Sequence, residues 1–109
     1  MQTQTARISV TMGGNCMLCT IHGDIDHHNA RTIRAQIDDE LYKTRPRKLT
    51  LDLSRVEFMD SSGLGLILGR FNKASEIGTE FTLLNPAENV CKILDVAGIG
   101  RMIKIERRK

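Results

Sequence analysis

Residues 58–70 read FMDSSGLGLILGR, with two serines and three glycines in the passage from one apolar segment to the next. Just before them, residues 49–53 read LTLDL, and this alternation has the period of a strand. Just after the serines, Leu64, Ile67, Leu68 and Phe71 recur at helical spacing. That spacing predicts a helix from about Ser62 to Glu76 with these four side chains towards a core, and Gly78 as its stop. A strand that turns into a helix through a small polar corner is the unit of parallel α/β folds.

Towards the C-terminus, residues 80–84 read as another strand. The run Asn85-Pro86-Ala87-Glu88 then has the form of a helix start, with Asn85 as cap, Pro86 first in the helix and Glu88 three residues after the cap. The helix it opens is expected to turn Val90, Ile93, Leu94 and Ala97 inward and to end at Gly98, with a last short strand over residues 102–105. Towards the N-terminus, Ala30, Ile33, Ile37 and Leu41 mark an amphipathic helix, with Asp26 as its expected cap and an end near Tyr42. Ile8, Val10 and Met12 alternate as a strand, residues 13–15 (GGN) form a turn, and residues 16–22 return as a second strand. The order predicts an α/β fold with a mixed, mostly parallel sheet of four to five strands, opened by a hairpin, and three or four helices. At 109 residues the chain has the size of one domain, expected over residues 1–109.

Composition narrows the function. No apolar run reaches the roughly 18 residues that a membrane span needs, and the N-terminal MQTQTARISV has no apolar signal core, so a cytoplasmic protein with no membrane partner is expected. The net charge of +3 comes from scattered basic residues with only 4% aromatics, which argues against direct nucleic-acid binding. The closing Arg107-Arg108-Lys109 reads as a solvated basic tail. Cys16 and Cys19 form a CMLC motif, but three-residue spacing on a strand points two thiols to opposite faces, where they share no metal. Cys91 reads as a packing residue.

Several chemistries fail at the serine corner itself. Gly63, Gly65 and Gly69 open a helix as a dinucleotide turn does, yet the third glycine comes one position late and no acidic residue ends the next strand for a ribose. No Lys-Ser/Thr follows, so a phosphate-binding P-loop is excluded. Gly65 and Gly69 are more simply read as small residues that let the helix approach the sheet. A hydrolase nucleophile takes its histidine from later in the chain, whereas His22, His27 and His28 all precede Ser61 and Ser62. These histidines sit on a strand end and in a first helical turn facing different ways, a poor metal set. Two readings stay open for the serines: a helix cap, or a hydroxyl that accepts a phosphate at the positive end of a helix, beside the like charge of Asp60.

The segments VEFMDSSGLGLILGR (56–70), GDIDHHNA (23–30) and ILDVAGI (93–99) resemble the STAS-domain anti-sigma factor antagonists, over nearly the whole chain. The doubled histidine leans towards the sporulation branch of that family over its stress-response branch. Its sporulation members run on past the basic ERRK at which this sequence stops. The resemblance implies partner switching. The unphosphorylated antagonist binds an anti-sigma factor that is also a serine kinase and so releases a sporulation sigma factor; the kinase uses ATP to phosphorylate the antagonist, and a PP2C-type phosphatase resets it. The position that matches the phosphorylated one is Ser61, with Asp26, Asp60, Ser62 and Gly63 forming the partner-binding surroundings. No enzymatic activity, catalytic residue, cofactor or metal is implied for the chain itself. A small nucleotide-binding protein using the 63–69 turn is the alternative from another class.

Overall fold

The computed structural model describes residues 7–108. Lys109 of the basic tail, and with it part of the 1–109 domain range, lies outside the described residues. Strands β1 (Ile8–Gly13) and β2 (Cys16–Ile21) form the opening hairpin, followed by α1 (Ala30–Thr44), β3 (Lys48–Asp52), α2 (Ser61–Glu76), β4 (Glu80–Leu84), α3 (Glu88–Val96) and, after a 3-10 turn at Ile99–Arg101, β5 (Lys104–Glu106). The five strands lie side by side in chain order, β1 antiparallel to β2 and all later neighbours parallel. The sequence-derived architecture is therefore the one observed. Because each parallel crossover advances one place in the same direction with the same right hand, the helices fall on one face of the sheet.

Register explains the core. Met17, Leu49 and Phe81 are paired across β2, β3 and β4, and Cys19, Leu51 and Leu83 form the next row, all buried. Strand alternation turns these rows towards Ile33, Ile37 and Leu41 of α1 and towards Leu66 and Ile67 of α2, which join the same apolar cluster. Burying each such aliphatic side chain contributes roughly 1.5–3 kcal/mol. Phe71 meets Phe81 edge-on, with ring centroids 6.1 Å apart, and so ties α2 to β4.

Two helix starts depart from the sequence reading. Helix α1 begins at Ala30, four residues after Asp26, because Asp26 instead closes a turn of its own: its Oδ1 accepts the N–H groups of His28 (2.8 Å) and Asn29 (3.1 Å). Helix α3 begins at Glu88, and Asn85 is no cap. Asn85 adopts φ +50°, its N–H donates to Glu106 O and its Oδ1 accepts the Arg108 N–H at 2.6 Å, so it anchors the end of β5. Of the residues expected to face inward on α3, Val90 and Leu94 are buried, Ile93 is half-buried and Ala97 is exposed.

The inward stripe of α2 is also rotated. Leu66, Ile67, Arg70 and Ala74 are buried with Gly63, while Leu64, Leu68 and Phe71 are only partly covered. The glycines have exchanged their expected roles. A Cβ on Gly63 would come within 2.7 Å of Met59 Cβ and 2.8 Å of its sulfur, so this glycine is the close contact. Cβ atoms on Gly65 or Gly69 would meet nothing within 4 Å, because these two line the open groove between α1 and α2. Gly65→Ala and Gly69→Ala are accordingly expected to raise unfolding free energy by up to about 1 kcal/mol each, from helix propensity alone. Gly63→Ala is expected to lower it by about 1–3 kcal/mol through overpacking. Urea midpoints of the three variants check the opposite signs.

Candidate functional site

The loops that leave β2 and β3 are stitched together beyond the carboxyl ends of these parallel strands, where α/β folds place their sites. Ile25 and Met59, both fully buried, form an isolated parallel bridge in which Ile25 N–H donates to Phe58 O (3.1 Å) and Asp60 N–H to Ile25 O (3.2 Å). Asp24 Oδ1 accepts the Phe58 N–H at 3.1 Å, and Asn29 Nδ2 donates to Asp24 O at 2.9 Å. These bonds bring Asp26 and Asp60, 34 residues apart in the chain, onto adjoining segments.

Asp60, and neither serine, caps α2. Its backbone is extended, its Oδ1 accepts the Ser62 N–H at 2.8 Å and its carbonyl accepts the Gly63 N–H at 2.9 Å. Ser61 is consequently the first residue of the helix and is exposed, whereas Ser62 is half-buried. Buried Gly63 rests on Met59, which sets how closely the start of the helix approaches the bridge. The five residues singled out in the sequence, Asp26, Asp60, Ser61, Ser62 and Gly63, thus lie on one pair of joined loops and the helix turn they support.

The histidines are not where helical geometry would put them. His27 and His28 lie in the turn before α1, and their rings pack against each other with centroids 4.0 Å apart. His27 Nδ1 lies 3.9 Å from Asp60 Oδ2, and His28 Nδ1 lies 3.8 Å from Asp26 Oδ1. The Asn29 N–H holds the Asp26 carboxyl below its ordinary pKa, helped by the His28 N–H and the two imidazoles against some desolvation. Among the described residues no three His, Cys, Asp or Glu side chains gather as a metal site. Cys16 is exposed and Cys19 buried, on opposite faces of β2, and burial followed by Glu40 pushes the Cys19 thiol up to about 12. Such a thiol is inert as a nucleophile at neutral pH. Arg107 and Arg108 do not extend freely: Arg107 Nη2 donates to Cys91 Sγ (2.9 Å) and Arg108 Nη2 to Glu106 Oε1 (3.2 Å).

One feature beside the serine corner escaped the sequence reading. Leu64, one turn into α2, joins Lys92, Ile93 and Val96 of α3 and Ala97 just beyond it around a depression of about 320 Å³ with an apolar surface. Val96 is 91% exposed, and Phe58 on the neighbouring loop is 51% exposed. An apolar depression so close to the serine corner is a candidate surface for a partner. The spacing of Ile93, Val96 and Ala97 off the Val90–Leu94 stripe is the signal from which it could have been found.

Comparison with known proteins matches residues 7–108 to the STAS domain. An anti-sigma F factor antagonist of Paenibacillus polymyxa is 32% identical over 89 residues, covering 82% of this chain and 76% of that protein. The anti-sigma-B factor antagonist of Bacillus subtilis is 27% identical over 101 residues, covering 93% and 91%. Among solved structures, the anti-sigma factor antagonist SpoIIAA in its unphosphorylated form superposes with a TM-score of 0.80 at 28% identity, covering 94% of this chain and 88% of that one. Its phosphorylated form gives 0.73 at 27% identity, covering 94% and 91%. No helix of the described residues is long and apolar enough to cross a membrane. Since the matched span runs from the first described strand through the last, this chain belongs to the STAS domain family, in which it is an anti-sigma factor antagonist of the SpoIIAA type.

Proposed function

We propose that this antagonist works as a phosphorylation switch in sporulation: unmodified, it binds an anti-sigma factor with serine kinase activity and so frees a sporulation sigma factor, and phosphate on Ser61 ends the complex. The observation that carries this reading is the position of Ser61, exposed at the head of α2 between the Asp60 cap and the apolar Leu64–Val96 depression. A partner that covers the apolar patch must also cover the Ser61 hydroxyl. A phosphate there adds about −1.5 to −2 charges next to Asp60 in a surface that has to be dehydrated for binding. The kinase supplies the catalysis, and a PP2C-type phosphatase restores the hydroxyl. That SpoIIAA has been solved in unphosphorylated and phosphorylated forms supports the same cycle.

The test is intact-protein and tandem mass spectrometry after incubation with the anti-sigma kinase and ATP. One phosphate on Ser61, absent from Ser61→Ala, is expected. Phosphate on Ser62 alone, or none with an active kinase control, would overturn the reading. The match to an anti-sigma-B factor antagonist, which covers more of the chain than the sporulation relative does, favours a second reading in which the same switch serves a stress-response sigma factor. Binding assays with both kinds of anti-sigma factor separate the two, since the cognate partner is the one that is bound tightly and phosphorylates Ser61.

A further inference from the structure

The groove between α1 and α2 has no part in the switch just described. It encloses about 370 Å³, begins at Ser62 and runs past Gly65 and Gly69 to Arg70 on one side, with Arg31 and Arg34 on the other. From Ser62 to Arg70 is eight residues of helix, a length of about 12 Å. An extended peptide of roughly four residues spans that distance.

Charge in this groove has the wrong sign for helix stability. Arg31 lies in the first turn of α1, where the macrodipole disfavours cations, with Arg34 in the next turn, and neither α1 nor α2 has an acidic residue in its first turn. Asn29 makes no side-chain cap to α1. Both exposed guanidiniums stand near Arg70, whose side chain is 4% exposed and whose Nη1 has no hydrogen-bond partner. Asp38 lies beside Arg70 and answers one of these three charges. Asp60 is engaged as the α2 cap and Asp26 in its own turn. A local rule broken without a compensating contact inside the fold is where function is to be sought.

We propose that this groove receives an acidic, extended segment of the anti-sigma factor, with its carboxylates on Arg31 and Arg34 and its backbone over Gly65 and Gly69. This inference rests on the partner-binding reading above and adds a second contact continuous with it, since Ser62 at the groove mouth follows Ser61 directly. Guanidinium forks pair with carboxylates in two-pronged fashion. The two glycines leave the floor open, as added Cβ atoms there would touch nothing. The groove has no aromatic side chain on which a nucleobase could stack, and its length exceeds what a lone phosphate fills.

Two variants test it from different sides. Arg31→Glu/Arg34→Glu reverses the charge; Gly69→Leu keeps the charge and fills the floor. Each is measured for anti-sigma factor binding by calorimetry at several salt concentrations, after a thermal melt has established that it folds. Both are expected to bind at least tenfold more weakly than wild type, and the double variant also to show a shallower dependence of affinity on salt. Binding within twofold of wild type by both would overturn the groove while leaving the Ser61 switch intact. A partner-independent arm titrates the wild-type protein with a hexaglutamate peptide and follows backbone amide resonances. Shifts confined to residues 30–34 and 62–70 are expected. Absence of shifts, shifts spread over Arg101, Arg107 and Arg108, or stronger shifts with inorganic phosphate alone would each overturn the proposal. Wild type that fails to bind any anti-sigma factor, yet shows the peptide shifts, would overturn the partner reading and retain the acidic-peptide groove.

Discussion

Replacing Ser61 with aspartate is expected to weaken binding to the anti-sigma factor by about a hundredfold or more, or about 3 kcal/mol, whereas Ser61→Ala binds like the wild type. Two effects of the same sign produce this. In the free protein the new carboxylate sits on the first residue of α2, at the positive end of the helix, where it is favoured and leaves the fold intact. In the complex that carboxylate must be dehydrated beside Asp60 and against a partner docked on the apolar Leu64–Val96 surface, where it is disfavoured. Stabilising the free state and destabilising the bound one both raise Kd. A true phosphate bears up to twice the charge of aspartate and is expected to weaken binding further. Isothermal titration of the three proteins against the anti-sigma factor reads the effect directly. Equal affinity for the alanine and aspartate variants would mean that charge at this position is not what separates the partners.

Asp38→Ala is expected to cost about 3 kcal/mol of folding stability, although Asp38 itself is partly exposed. The cause is its partner. Arg70 is 3% exposed, and its Nε lies 2.7 Å from Asp38 Oδ1 without good alignment; neither atom makes a directed hydrogen bond. Burial lowers the Arg70 pKa, and the Asp38 carboxylate counters that pull, while Arg34 adds like charge. Arginine does not shed its proton within the pH range of folding, so removing Asp38 leaves a buried cation with no counter-charge. The double variant Asp38→Leu/Arg70→Leu removes both charges and is expected to recover most of the loss, as apolar replacement of buried pairs commonly does. Urea unfolding of the single and double variants decides this. An Asp38→Ala protein as stable as wild type would show that water entering from the α1–α2 groove is solvating the guanidinium.

Much of this molecule was legible from residue pattern because the patterns are local. Alternation over residues 8–12 and 49–53 reports a strand in each place, although β1 leaves Ile8 and Val10 half-buried and Met12 exposed while β3 buries Leu49, Thr50 and Leu51 in succession, and the Ile33-Ile37-Leu41 stripe reports one buried helix face; each pattern is read without knowledge of the rest of the chain. The passage from β3 through Asp60 into α2 is equally local, and so the serine corner was identifiable from pattern, whereas the choice of Ser61 over Ser62 came from the family resemblance. Misreadings came where a polar side chain had more than one use. Asp26 and Asn85 both look like helix caps. Asp26 satisfies the N–H groups of its own turn, and Asn85 takes the N–H of Arg108 from 23 residues away. The first of these competitors is adjacent in sequence, and the second exists only once β5 has paired with β4.

By itself, then, the amino-acid sequence determined the order of strands and helices, the hairpin at the start, the parallel sheet and the serine corner, all consequences of hydrophobic period and turn chemistry acting over a few residues. Tertiary structure decided the rest. The Ile25–Met59 bridge brings Asp26 beside Asp60, packing on Met59 makes Gly63 rather than Gly65 or Gly69 the closely packed glycine, and the rotation of α2 opens an arginine-lined groove against α1. Each depends on the distance between groups far apart in the chain. The core enforces such distances through close packing, and no local pattern records them.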